Sequence, residues 1–201
     1  MKDNKGIIIF LIIILFIGLS VYLSSRENKE EEVELMSGIH NVVISVEDYG
    51  DIYVELDADT APITVTNFIN LANSGFYDGL TFHRIIEGFM IQGGDPAGDG
   101  TGGSSETIKG EFSLNGVENN ISHERGVISM ARASDYDSAS SQFFIVQEDS
   151  THLDSRYAAF GHVTEGMDIV DKIASDAEPI DDNGTIASDE QPVITTIKVL
   201  D

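Results

Sequence analysis

The chain has 201 residues, of which 41% are hydrophobic and 23% charged, and these values are typical of one globular domain with a short appendage. It contains no cysteine, which excludes disulfides, thiolate nucleophiles and cysteine-ligated metal sites. Its net charge of −24 disfavours binding to a phosphate backbone, so we expect no nucleic-acid partner and, because like-charged copies repel, a monomer.

Residues 6–23 differ from the rest of the chain. The segment GIIIFLIIILFIGLSVYL is uncharged and almost wholly apolar, and as a helix it would span about 27 Å, close to the ~30 Å hydrocarbon core of a bilayer. No small-residue cleavage site follows it, which favours an uncleaved signal anchor over a secretory signal peptide. We therefore predict one N-terminal transmembrane helix at these positions.

The charges that flank this helix set the predicted topology. Lys2 and Lys5 favour a cytoplasmic location for residues 1–5. Residues 24–37, which begin with the charged run SSRENKEEEVE, are typical of a flexible tether. We expect a single-pass membrane protein whose domain, at residues 38–201, lies outside the cytoplasm.

Eight segments of this domain predict β-strands, because they alternate apolar and polar residues or are rich in β-branched and aromatic residues between turn signals. The first two flank the turn 48–51 and therefore predict a hairpin. The segments are Val42–Glu47, Ile52–Asp57, Leu80–Ile85, Phe89–Gln92, Gly126–Ala131, Gln142–Val146, Ala158–Val163 and Pro192–Leu200.

Only two segments of this domain predict helices. In the first, Thr60 can act as the cap, Pro62 suits the first turn and Gly75 ends the helix, whereas the second is predicted at Gly166–Ala174. Each has an apolar stripe at helical spacing, formed by Val65, Phe68, Ile69 and Ala72 in the first and by Met167, Val170 and Ile173 or Ala174 in the second. Many short strands with two helices favour an antiparallel sheet closed into a barrel or packed as a sandwich.

The sequence offers no pattern for metal, nucleotide or hydrolytic chemistry. None of the five histidines pairs with another at the spacing of a metal site, so we expect no metal ion. Residues 98–103 match the dinucleotide pattern G-x-G-x-x-G, but no apolar helix follows, which favours a plain glycine loop. A calcium loop over Asp95–Glu106 is not supported, since Ala97 cannot ligate. No plausible Ser–His–Asp set can be picked out, so a hydrolase is not predicted.

The segment Phe82–Gly94, FHRIIEGFMIQGG, carries an arginine and a glutamine within an apolar run. A buried charge without a partner is costly, so Arg84 must be paired, reach water or have a function. From periodicity alone, a surface ion pair with Glu87 is the simpler interpretation. The motifs further along the chain favour a functional role for Arg84 over this ion pair.

Extended to Asp95, this segment resembles the cyclophilin family of peptidyl-prolyl cis–trans isomerases. Further motifs follow in the family's order and spacing: GTGG, GVISMARA, SSQFFI and HLDSRYAAFGHV. The resemblance implies a mainly β fold, a closed eight-stranded antiparallel β-barrel capped by two α-helices, with an active groove on the outer face. It covers the whole predicted domain and leaves out only the membrane segment and the tether.

The resemblance also implies the roles of individual residues. Arg84 is the central catalytic residue, aided by Phe89 and by Gln92, which hydrogen-bonds the substrate backbone. The proline ring is received by Phe89, Met90, Phe144 and Leu153. The groove is bordered by Ala131, Arg132, His152 and Tyr157.

Some positions depart from the best-known eukaryotic members of the family. His152 stands where those members carry a tryptophan associated with cyclosporin binding, so we expect weak sensitivity to this drug. Tyr157 replaces a histidine and Glu87 a proline. Arg132 replaces an asparagine, and its charge predicts a preference for acidic substrates.

The predicted reaction needs no cofactor, because isomerisation of an Xaa–Pro bond makes and breaks no covalent bond. We expect the partners to be proline-containing polypeptides, unfolded or extracytoplasmic, besides the membrane itself. The alternative is a proline-segment binding module or chaperone that uses the same groove with little turnover.

Overall fold

The computed structural model describes residues 34–200. The predicted cytoplasmic N-terminus 1–5, the predicted transmembrane helix 6–23 and residues 24–33 of the predicted tether lie outside these described residues. None of the helices within residues 34–200 has the length and apolar character needed to span a bilayer.

Eight strands form one sheet in which every pair of neighbours is antiparallel. The strands are β1 (Ile39–Val46), β2 (Gly50–Asp57), β3 (Phe82–Ile86), β4 (Met90–Gly93), β5 (Val127–Met130), β6 (Phe143–Val146), β7 (Ala159–Glu165) and β8 (Ile194–Val199). Their order across the sheet is β3-β4-β6-β5-β7-β2-β1-β8. All eight predicted strands, including the β1–β2 hairpin, are therefore confirmed, with boundaries that shift by a few residues.

The sheet curls until its two edge strands, β3 and β8, approach each other. They meet just outside the strands, where Thr81 and Val193 form an isolated antiparallel bridge. The amide of Phe82 donates to the carbonyl of Pro192 over 2.9 Å, and the amide of Ile194 donates to the carbonyl of Leu80 over 2.7 Å. No continuous ladder joins β3 to β8 within the described residues, so the predicted closed barrel is confirmed only in the coarser form of a curled antiparallel sheet.

Two helices cover the sheet, as predicted: α1 (Pro62–Asn73) and α2 (Met167–Asp176). The buried side chains of α1 include the whole predicted stripe, and those of α2 are Val170, Ile173 and Ala174. The ring of Phe68 packs at 5.1 Å from that of Tyr77 and at 5.4 Å from that of Phe143. The helices thus bury their apolar stripes on the main core of the sheet.

A carboxylate from a distant loop, rather than Thr60, caps α1, so the prediction that Thr60 is the cap is wrong. The Thr60 hydroxyl instead donates to Asp57 over 2.7 Å. Glu111, almost fully buried, accepts the amides of Ile63 and Thr64 at 3.0 and 2.8 Å and the Thr64 hydroxyl at 2.7 Å. Pro62 is the first helical residue, as predicted, and it has no amide hydrogen that needs a partner.

Strands β4, β5, β6 and β7 bury side chains on both of their faces. Ile91, Ile128 and Ile145 point into the main core, whereas their neighbours along the same strands form a second, smaller cluster. Successive residues of a strand point to opposite faces, so the two clusters lie on opposite sides of one sheet. The buried members of the second cluster are Met90, Val127, Phe144, Val146 and Ala159.

Candidate active site

Arg84 lies in β3, and its side chain is held by two hydrogen bonds to oxygen atoms and a weaker one to the sulfur of Met90. It stands directly opposite Gln92 of β4 in the strand register, which places both side chains on the same face. Its Nη1 donates to Gln92 Oε1 over 3.1 Å, and its Nε donates to the carbonyl of Asn183 over 2.7 Å. No ion pair with Glu87 is formed within residues 34–200, so the simple interpretation of Arg84 as a surface ion pair is wrong.

The guanidinium of Arg84 is partly withdrawn from water. Burial lowers the pKa of Arg84 below its ordinary value, and the nearby Tyr157 and Asp181 act in the opposite direction. An arginine keeps its charge in proteins even so. The result is a fixed cation in a half-buried setting, where its field is less screened than in bulk water.

Gln92 is oriented by a chain of amide hydrogen bonds. Its Nε2 donates to Gln142 Oε1 over 2.9 Å, and Gln142 Nε2 donates in turn to the carbonyl of Gly102 over 2.8 Å. The side-chain oxygen of Gln92 is therefore directed at Arg84. The sequence reasoning assigned no site role to Gln142, although the residue lies two positions before Phe144, a spacing that puts both side chains on one face of an extended chain.

The glycine loop behind Gln142 is organised by a buried carboxylate. Asp95 accepts the amides of Ala97 at 2.8 Å and of Gly100 at 2.6 Å. The Asp95 carboxylate accepts hydrogen bonds from backbone amides of the loop itself. These bonds account for the shape of the glycine loop without a bound nucleotide or calcium ion. Within residues 34–200 no cluster of three or more acidic or histidine side chains is arranged to hold a metal ion.

A cavity of about 150 Å³, hereafter the apolar cavity because most of its lining side chains are apolar or aromatic, has Arg84 and Gln92 in its wall. Its remaining lining consists of Arg132 and of residues that belong to the second cluster or pack against it, namely Phe89, Met90, Ala131, Phe144, Leu153 and Tyr157. The Phe144 ring forms the floor with a T-shaped contact to Tyr157 at 5.9 Å. The structure thus brings together every predicted site residue except His152.

His152 lies at the rim instead of in the cavity wall. It belongs to a short 3-10 helix, Thr151–Leu153, and its exposed ring is tilted against that of Phe89 with 5.7 Å between centroids. It can therefore influence Phe89 directly, whereas its predicted contact with substrate stays a prediction.

The Arg132 side chain is bound to the chain itself. Its Nε and Nη2 donate to the carbonyl of Arg156 at 3.0 and 2.8 Å. The guanidinium also lies 4.9 Å from the ring centroids of Tyr136 and of Tyr157, and 5.1 Å from that of Phe112. These contacts stabilise the position of Tyr157 in the cavity wall. The preference for acidic substrates that the charge of Arg132 suggested stays a prediction.

The structure brings a serine, a histidine and an aspartate into hydrogen-bond contact, a set that could not be picked out of the sequence. His123 Nδ1 lies 2.9 Å from Asp154 Oδ1, and His123 Nε2 lies 3.0 Å from Ser129 Oγ. Ser129 and His123 are buried, and the His123 ring stacks on Phe144 at 6.0 Å. Ser129 and His123 are absent from the cavity lining, whereas Phe144 belongs to it, so the set supports Phe144 from behind rather than presenting a nucleophile to the cavity.

We expect the protein to lose stability as the pH falls below about 6.5, the ordinary pKa of histidine. Burial lowers the pKa of His123 in the folded state, although the hydrogen bond to Asp154 opposes the shift, and burial also lowers the pKa of His83. The unfolded chain then binds more protons than the folded one, so acid favours unfolding. The midpoint temperature of thermal unfolding should decrease when the pH is lowered from 7 to 5.

A His123→Gln variant should show a shallower dependence of this midpoint on pH, while a variant of the exposed His162 to Gln should follow the wild type. Identical slopes in the wild type and the His123→Gln variant would show that His123 does not carry the effect.

One contact of the site had no sequence signal at all. The carbonyl of Asn183, 99 positions along the chain from Arg84, accepts the bond from Nε. Any residue type offers a backbone carbonyl, so neither composition nor spacing could have assigned this role.

Comparison with known proteins places this site in a family. Residues 41–199 match the family model "Cyclophilin type peptidyl-prolyl cis-trans isomerase/CLD". The chain is 48% identical over 130 residues to peptidyl-prolyl cis-trans isomerase B of Bacillus subtilis, an alignment that covers 65% of this chain and 87% of that protein. It is 48% identical over 126 residues to a peptidyl-prolyl cis-trans isomerase of Helicobacter pylori, covering 62% and 74% of the two chains.

A solved structure agrees with these relatives. The cyclophilin type peptidyl-prolyl cis-trans isomerase of Cryptosporidium parvum, crystallised in the presence of the dipeptide Ala-Pro, superposes with a TM-score of 0.70 at 31% identity. The match covers 80% of this chain and 99% of that one. The chain belongs to the cyclophilin family of peptidyl-prolyl cis–trans isomerases.

Proposed function

We propose that this protein accelerates cis–trans isomerisation of Xaa–Pro bonds in polypeptides, with the apolar cavity holding the proline ring and Arg84 stabilising the twisted amide. The observation that carries the proposal is a guanidinium fixed by hydrogen bonds to Gln92 and Asn183 in the wall of an apolar cavity.

Isomerisation of an Xaa–Pro bond requires only a site that holds the proline ring and a hydrogen-bond donor fixed beside it. Rotation about an Xaa–Pro bond has a barrier of about 20 kcal/mol because the planar amide loses its resonance on twisting. The twisted nitrogen becomes pyramidal and exposes a lone pair, so a hydrogen-bond donor aimed at it favours the transition state over either planar form. The hydrogen bonds described above occupy Nε and Nη1 of Arg84 but not Nη2, which can serve as that donor.

Preorganisation makes the donor effective. The guanidinium is already oriented before substrate arrives, so little reorganisation is needed when the amide twists. The apolar side chains of the cavity, Phe144 among them, can hold the proline ring while the carbonyl of the residue before proline rotates. Gln92 helps by orienting Arg84, and its predicted bond to the substrate backbone stays part of the proposal.

A second cavity supports a polypeptide substrate rather than an isolated amino acid. It has a volume of about 360 Å³ and shares Gln92, Ala131 and Arg132 with the proline cavity. An extended chain with its proline in the first cavity could therefore reach the second. The relative crystallised with Ala-Pro belongs to the same family, which agrees with proline-containing ligands for this protein.

An isomerase assay separates this function from the alternative of a proline-segment binding module. We expect the full chain to raise the rate of cis–trans conversion of a short Ala-Xaa-Pro-Phe peptide in proportion to enzyme concentration. Binding of the peptide without any increase in rate would favour the binding module instead.

We also propose that residues 6–23 anchor the protein in a membrane, with the isomerase domain outside the cytoplasm, where it would assist folding of exported chains as a monomer. The support is the length and apolar character of this segment and the lysines before it. Protease added to spheroplasts should remove the domain while the membrane stays intact. A domain that survives this treatment, or that is found in the soluble fraction after lysis, would contradict the anchoring.

A further inference from the structure

The loop Ile180–Ile186, hereafter the Asp181 loop, lies along β3 at the position of Arg84. The amide of Ile85 donates to the carbonyl of Gly184 over 2.8 Å, and the amide of Ile186 donates to the carbonyl of His83 over 3.0 Å. Arg84 and Thr185 form an antiparallel bridge between these two bonds. The loop therefore acts as an additional backbone partner of β3 at the proposed catalytic residue.

The same loop fixes the side chain of Arg84. The carbonyl of Asn183 accepts the Nε hydrogen bond at 2.7 Å, which is the shorter of the two oxygen contacts that the guanidinium makes. Gln92 holds Nη1 from β4, so the planar group is fixed at two of its three nitrogens. The direction of the third nitrogen, Nη2, follows from these two contacts because a guanidinium is rigid and planar.

The shape of the loop depends on the carboxylate of Asp181. One oxygen, Oδ1, accepts the amides of Asn183 and Thr185, each at 3.0 Å, and the other, Oδ2, accepts the Thr185 hydroxyl at 2.8 Å. An aspartate that bonds to amides two and more residues ahead closes a turn of defined geometry. This turn places the carbonyl of Asn183 in front of Arg84.

Gly184 completes the turn in a way that no other residue could. It has a φ of 85°, and a Cβ atom at this position would lie 2.4 Å from Ile86 Cγ1 and 2.6 Å from the carbonyl oxygen of Ile85. The close approach of the loop to β3 therefore requires glycine. Asp181 thus closes the turn, and Gly184 permits its close approach to β3.

We propose that Asp181 is a positioning residue of the isomerase, which acts by holding the Asn183 carbonyl on Arg84 and so fixing the direction of the catalytic guanidinium. This inference rests on the proposed function of Arg84. It gives a role to Asp181, to which the sequence analysis assigned none. Asp181 itself is exposed and contacts neither the cavity nor the substrate that would fill it.

The test compares Asp181→Ala with Asp182→Ala in the full chain. Asp182 is the exposed neighbour in the same loop and carries the same charge, so the second variant controls for loss of charge. We expect Asp181→Ala to lower kcat about five- to tenfold with KM within about twofold of the wild type, since only the orientation of a transition-state donor changes. Asp182→Ala should stay within about 1.5-fold in both constants.

A double-mutant cycle distinguishes positioning from a general structural effect. In an Arg84→Ala background, Asp181→Ala should lower the remaining rate by less than about 1.5-fold, because no guanidinium is left to orient. An independent readout is the NMR signal of the Arg84 Nε–H group, assigned by its absence in Arg84→Lys. This signal should shift and exchange faster with water in Asp181→Ala, but not in Asp182→Ala.

The outcomes separate this inference from the function on which it rests. A wild-type chain without isomerase activity would remove the proposed function. An active wild type whose kcat is unchanged by Asp181→Ala, or is lowered equally in both backgrounds, would overturn only the role of Asp181. If Asp181→Ala fails to fold, Thr185→Val removes the bond to Oδ2 alone and should lower kcat about two- to threefold, and an unchanged kcat there would overturn the role as well.

Discussion

Replacing Arg84 by alanine should lower kcat of the isomerase about a hundredfold or more, while KM stays within a few-fold of the wild type. Removal of one preorganised donor to a developing charge costs about 2.7–4 kcal/mol in other enzymes, and each ~1.4 kcal/mol is a factor of ten in rate. We expect substrate binding to depend mainly on the apolar and aromatic side chains of the cavity, which the substitution leaves in place. A protease-coupled assay on an Xaa–Pro peptide measures both constants.

Two further variants make this result specific. Arg84→Lys keeps the charge but has no Nε–H to bond with Asn183, so it should recover only a small part of the rate. Arg125→Ala removes an arginine that pairs with Asp171 outside the cavity, and its kcat should match the wild type. A rate for Arg84→Ala within about twofold of the wild type would exclude the guanidinium from the mechanism.

Replacing Glu111 by alanine should cause a large loss of stability, about 3 kcal/mol. The carboxylate is only 2% exposed and serves two amides at the start of α1 and the hydroxyl of Thr64. Without it, these donors stay buried and unpaired at the positive end of the helix dipole. For a chain of this size, the loss corresponds to a fall of about 6–12 °C in the midpoint of thermal unfolding, measured by circular dichroism.

A graded series tests whether the hydrogen bonds are responsible. Glu111→Gln keeps one acceptor oxygen and should lose roughly half as much stability as Glu111→Ala. Glu106→Ala removes an exposed glutamate and should change the midpoint little. Equal midpoints for Glu111→Ala and Glu106→Ala would show that the cap contributes nothing to stability.

Local patterns were sufficient for most of the fold. The period-2 alternation of β2 and the 3.6-residue stripes of α1 and α2 report directly which side chains are buried, because burial of alternate or helically spaced residues follows from backbone geometry. Apart from the β1–β2 hairpin, the strand pairing and the degree of closure could not be predicted from local patterns. They depend on how far the sheet twists and curls, and the resemblance to a family supplied the barrel expectation instead.

The candidate site divides in the same way. Motif resemblance identified Arg84, Phe89, Gln92 and Phe144, because these residue types are tied to fixed spacings along three neighbouring segments. It also included His152, which the structure places at the rim, and it did not indicate that the Arg132 side chain donates to the carbonyl of Arg156.

Residue patterns were therefore enough to predict the strands and the two helices, and the resemblance to a family identified the residues of the cavity and the proposed catalytic cation. The contacts that orient this cation and cap the first helix became visible only in the folded chain. Arg84 and Asn183 are 99 positions apart, and Glu111 and Thr64 are 47 apart. Such contacts arise when the sheet curls and brings distant loops together, and they use backbone amides and carbonyls that every residue carries, so no pattern in the amino-acid sequence marks them.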